Sequence, residues 1–182
     1  MANPIVGTEL IDVLPVNASN SQTAAYRETV SVSQLTQNSV GGSVAAYATS
    51  TLTKTDTNLA AIPGMTVTLL AGAVYDVEVY LTGTANASGG LKLAFGGTAT
   101  ANSVSFDTWV YNTTTVAAQG VQNTSISGSL IANTGAFTTA FIAGTIQVNA
   151  GGTFTLTAAQ NASFGTGSTF AVNSNMIATR IA

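Results

Sequence analysis

Histidine and cysteine are absent from this 182-residue chain, and its formal charge comes from only 4 Lys/Arg and 7 Asp/Glu. Charged residues make up 6% of the sequence, against roughly 25% in an ordinary soluble domain. Without imidazole, no side chain has an ordinary pKa between pH 5 and 8, so no general base is poised near neutrality. Without thiolates there is no disulfide, no thiol redox chemistry and no soft metal ligand. The missing cysteine leaves the compartment open. The four cations, Arg27, Lys54, Lys92 and Arg180, lie far apart and the net charge is −3, whereas nucleic-acid surfaces are built from clustered Lys and Arg. No nucleic-acid partner is expected.

Long apolar runs are also missing. The most apolar stretch, Met65 to Val74, is interrupted by Thr66, Thr68 and Gly72, and a membrane helix needs ~20 unbroken residues. No membrane partner is expected. The opening Met-Ala-Asn-Pro-Ile-Val-Gly has neither a basic nor an apolar leader region, so no signal peptide is expected. Asn-Xaa-Ser/Thr triplets begin at Asn17, Asn86, Asn112, Asn123 and Asn161. In a chain this rich in Asn, Ser and Thr they read as composition, not as glycosylation sites.

What is present is uncharged polarity, Thr, Ser, Asn and Gln, interleaved with Val, Ile, Ala and Phe. The chain divides near Gly41-Gly42. Residues 1–42 read as an N-terminal anchoring segment that holds Glu9, Asp12, Arg27 and Glu28. Tyr26 to Leu35 alternates in the manner of a short strand, but the segment lacks the mass for a core of its own and is expected to dock elsewhere.

Residues 43–182 read as one β domain. Val44 to Thr55 is expected as a first strand, Ala61-Ile-Pro-Gly64 as a turn, and Met65 to Leu70 as the next strand, closed by Ala71-Gly72. Ala73 to Thr82 alternates most cleanly: Ala73, Tyr75, Val77, Val79 and Leu81 face one way, and Val74, Asp76, Glu78, Tyr80 and Thr82 the other. Asn86 to Gly90 reads as a loop. Further strands are expected at Leu91–Phe95, Val104–Tyr111, Val121–Ala132, Ala140–Val148, Thr153–Ala158 and Phe170–Ile181. Helical periodicity is absent over any useful length. Eight or nine short strands predict an all-β fold, a jelly-roll-like β-sandwich preceded by the extended anchor.

Few constellations carry chemistry. Asp76 and Glu78 share a strand face about 7 Å apart, which suits two solvated charges better than an acid–base pair. Asp107, Trp109 and Tyr111 share a face and could contact carbohydrate, but Trp109 is expected in a packed or inter-subunit environment. Asp56 and Asn58 are too sparse in carboxylate for a calcium loop. Gly89-Gly90 and Gly96-Gly97 are turn or bulge glycines. Ser and Thr are abundant but have no base beside them, and Lys54 and Lys92 stand in no recognisable motif. No catalytic, cofactor-binding or metal-binding residue is assigned, and the chain is not expected to be an enzyme.

Several stretches resemble tailed-bacteriophage virion proteins. Thr55-Asp-Thr-Asn-Leu-Ala-Ala-Ile-Pro-Gly-Met-Thr-Val-Thr-Leu-Leu-Ala-Gly-Ala-Val-Tyr75 resembles a module common in phage structural proteins, where such a line enters a jelly roll. Val77-Glu-Val-Tyr-Leu81 and Ala87-Ser-Gly-Gly-Leu-Lys-Leu-Ala-Phe-Gly-Gly97 continue it. Gly7-Thr-Glu-Leu-Ile11 and Arg27-Glu-Thr-Val-Ser-Val-Ser-Gln-Leu35 are similar to the short anchors of phage fibre and head-decoration proteins. The resemblance implies a homotrimeric virion component of head-decoration or head-fibre type. Residues 1–40 would bind the major capsid protein or another virion protein. The alternative it implies is a tail or neck fibre whose β domain binds host surface glycan.

Overall fold

The computed structural model describes residues 39–112, 116–133 and 135–182. The anchoring segment expected over residues 1–42 lies outside them, except for the turn at 39–42. Twelve strands follow: β1 (Ser43–Tyr47), β2 (Leu52–Lys54), β3 (Ala60–Leu69), β4 (Val74–Ala85), β5 (Leu91–Gly96), β6 (Ala101–Tyr111), β7 (Val116–Asn123), β8 (Ser129–Asn133), β9 (Phe137–Val148), β10 (Gly152–Ala159), β11 (Ser168–Phe170) and β12 (Asn175–Arg180). The described residues contain no helix.

All pairings are antiparallel. An eight-stranded sheet runs β1-β12-β4-β9-β6-β7, with β11 on β4 and β2 on β11, and a four-stranded sheet runs β3-β10-β5-β8. Pairing is nested: β6 pairs β7, β5 pairs β8, β4 pairs β9 and β3 pairs β10. The middle of the chain is thus one long hairpin rolled across two sheets.

The core lies between the sheets. Tyr75, Val77, Val79 and Leu81 of β4 are buried while Asp76, Glu78 and Tyr80 are exposed, as period-two alternation requires of a sheet with one solvated face. Phe95 of the small sheet lies 4.9 Å from Phe106 of the large one and 4.3 Å from Phe154, ring centre to ring centre. These three rings tie the layers together. Thr108, inward-facing between Phe106 and Val110, is fully buried, and its Oγ1 has no hydrogen-bond partner among the described residues. An orphaned buried hydroxyl is a net penalty. Thr108→Val should therefore raise stability by roughly 1 kcal/mol, read as a higher urea midpoint at unchanged slope. A lower midpoint would mean that the hydroxyl is bonded in solution.

Four expectations need correction. Ala61 to Gly64 is not a turn but part of β3. β3 is the edge of its sheet, and Pro63 lies in its bulged stretch, where no β10 residue stands in register and the missing N–H costs no ladder bond. The Pro63 carbonyl accepts from Thr49 N at 2.9 Å, and Gly64 absorbs a positive φ of 84° opposite the register shift at Thr155/Thr157. Val44–Thr55 is two strands: β1 pairs β12, then the chain crosses and β2 pairs β11. Phe170–Ile181 likewise splits into β11 and β12 around Ser174, whose hydroxyl donates to Ala171 O at 2.7 Å and accepts from Thr82 N at 3.0 Å. The run from Val121 to Ala132 is also broken, with β7 ending at Asn123 and β8 beginning at Ser129.

Candidate functional site

The register of the large sheet assembles a row that no single segment contains. Tyr47 of β1 pairs Asn175 of β12, which pairs Tyr80 of β4; Tyr80 pairs Phe141 of β9, which pairs Trp109 of β6. Four aromatic residues therefore cross the outer face in one line, over four strand spacings or about 19 Å. Tyr47 is 68% exposed and Tyr80 45% exposed. Trp109 and Phe141 are half-buried and stack on each other, with ring centres 5.7 Å apart and planes 28° from parallel. Phe141 thus supplies part of the packed environment expected for Trp109. Its register neighbour on β7 is the small Ala118.

The adjacent row is acidic. Ile177, Glu78, Ala143, Asp107 and Gly120 are in register, and beyond them Thr179, Asp76, Thr145, Ser105 and Gln122. Asp76 and Glu78 are exposed on this common face, as alternation predicted. They share this face with Asp107, which lies two strands away across β9, a relation that sequence spacing could not reveal. The Asp107 carboxylate leans over Gly120: a Cβ built there would lie 2.8 Å from Oδ1. Next to it opens a shallow groove of about 540 Å³ bordered by Ser103, Ser105, Gln122, Asn123, Thr124 and Thr145. Tyr111, expected beside Trp109, is exposed one row further along.

The other candidates do not gather here. Asp56 is engaged locally: Lys54 Nζ lies 2.9 Å from its Oδ1, and the Asn58 amide donates to the same oxygen at 2.8 Å. The Lys54 ammonium first, then that amide, hold the Asp56 carboxyl below the ordinary aspartate range. Among the described residues no three Asp or Glu side chains cluster as metal ligands. Lys92 Nζ donates to the Thr57 carbonyl and helps fix the same loop. Gly89 and Gly90 sit in a loop whose carbonyls accept from Asn161 N and Ser168 Oγ, which matches their reading as turn glycines.

These charges fix the expected pH response. A carboxylate with a depressed folded-state pKa contributes stability above its unfolded pKa and loses it as pH falls through the folded value. For Asp56 that window lies below about pH 4. The melting temperature should be flat from about pH 5 to 8 and from low to molar salt, dropping only in acid. A change of more than about 5 °C within that range would contradict this reading.

The chain matches no protein-family model and no curated protein sequence.

Proposed function

We propose that this chain is a structural protein of a tailed-bacteriophage virion, a head-decoration or head-fibre component that works by assembling, not by catalysis. The β domain is a jelly-roll sandwich, a reading supported by the nested pairing of β3 through β10 across two sheets. It forms a homotrimer, while residues 1–40 attach to the major capsid protein or another virion protein.

The observation that carries this reading is the edges. β1, β2 and β7 end the large sheet and β3 and β8 end the small one, and of these strands only the three-residue β2 contains a charged residue, Lys54. β7 is the most open: eight mostly exposed residues pair with β6 in unbroken register. Natural β proteins blunt such edges with charge, bulges or cover, because unpaired N–H and C=O groups recruit other chains. Here cover by neighbouring copies fits best. The β7–β8 side of one molecule set against the β1–β3 side of the next is a heterologous contact, and a ring of three closes it. Three anchors held by one trimer then bind a shell with high effective concentration. A tail or neck position for the same trimer is the second reading, favoured by the aromatic row.

Deleting residues 1–40 tests the attachment. The truncated chain should remain a folded oligomer but lose at least tenfold in binding to phage particles in a co-sedimentation assay. Undiminished decoration would place attachment in the β domain.

A further inference from the structure

We propose that the outer face of the large sheet binds a neutral polysaccharide, with Trp109 and Asp107 at the centre of the site. This inference stands apart from the trimer reading and from where on a virion the chain sits.

Three features of the face converge on that ligand. First, the half-buried indole of Trp109 stacks on Phe141 on the β9 side and has the small Ala118 as its register neighbour on the β7 side. A pyranose ring presents a flat face of C–H groups that stacks on such a surface; Ala118 keeps the floor beside it low, and the Asp107 carboxylate stands over Gly120 at its border. Second, hydrogen-bonding groups border the stacking surface. The carboxylates of Asp107 and Glu78 accept from paired sugar hydroxyls, and charge-assisted bonds of this kind are the stronger ones. Gln122, Ser105 and Thr145 supply neutral donors and acceptors beside them. Third, the aromatic row continues to Tyr80 and Tyr47 in a straight line, so the platform suits a chain of sugars better than one ring.

Charge selects among occupants. Lys92 belongs to the small sheet, Lys54 pairs with Asp56, and Arg180 stands in register with the buried Tyr75. Among the described residues, then, the face carries Asp76, Glu78 and Asp107 and no cation. An anionic glycan would be repelled. Two copies meeting face to face would bring these carboxylates together without compensation, at a desolvation cost. A neutral, hydroxyl-rich chain meets neither obstacle.

Trp109 is the sole tryptophan, so its emission reports on the site directly. Full-length protein should be titrated separately with cellohexaose, maltohexaose and mannohexaose, following fluorescence and confirming by calorimetry. At least one should give a saturable change with a half-point in the low-millimolar range or tighter. Ala118→Phe, at an exposed position in register with Trp109, crowds the indole from the β7 side and should weaken binding by at least about tenfold. Asp107→Asn, which keeps the shape, should weaken it as well and serves if the Phe variant folds poorly. The proposal is overturned by no saturable response to any of the three sugars, or by equal binding in both variants. A response to hexalysine alone also overturns it and assigns the face to a basic protein partner.

Discussion

If the chain assembles through β7 as proposed, replacing Val116 and Gln119 together by lysine will convert that oligomer into a folded monomer. Both residues lie on β7 and are exposed, and β7 pairs only with β6. Neither side chain is needed to hold the strand, since the unbroken register from Val104↔Asn123 to Tyr111↔Val116 is made by backbone. Surface substitutions of this kind usually change stability by no more than about 0.5 kcal/mol. An approaching neighbour, by contrast, must desolvate two new ammonium groups on an edge that was uncharged, the device by which lysine guards natural edges. Sedimentation velocity should show one slow species in place of the proposed trimer, with the circular dichroism spectrum unchanged. A variant that sediments with the parent would remove β7 from the interface.

Phe154→Ala will produce the second large effect, on the fold itself. The ring is fully buried, lies 4.3 Å from Phe95 and 6.5 Å from Phe106, and belongs to the cluster that joins the two sheets. Truncating a buried phenylalanine costs about 3–5 kcal/mol through lost transfer energy and the cavity left behind. Native domains have only about 5–15 kcal/mol in total. The melting temperature should fall by roughly 10 °C or more, measured at matched protein concentration because assembly itself adds apparent stability. Phe154→Leu should lose much less. A small effect from the alanine variant would mean that Phe95 and Phe106 can collapse into the space.

The strands were legible where one face is wet and the other dry. Ala73 to Thr82 is such a place, and its inward and outward residues fall as alternation requires. Legibility failed where a strand changes partner. Val44–Thr55 and Phe170–Ile181 keep alternating across a break because each half pairs in turn with different strands, and alternation carries no record of the partner. Pro63-Gly64 misled for a related reason: the pair signals a turn unless the strand is an edge, and edge position is a property of the sheet.

The candidate face was half legible. Asp107, Trp109 and Tyr111 stand two residues apart on one strand, so their common face follows from the strand period. Tyr47, Tyr80 and Phe141 join Trp109 only through the registers of four other pairings, which depend on bulges and crossovers far from the residues themselves. Gly120 and Ala118 carry no signal of their own in the sequence. Their small size matters only once they are set opposite Asp107 and Trp109.

If the chain assembles as proposed, its mass in solution exceeds that of one copy. Light scattering on the purified full-length protein at micromolar concentration should return three times the 18.2 kDa chain mass. A stable species of one chain mass across that range would contradict the account.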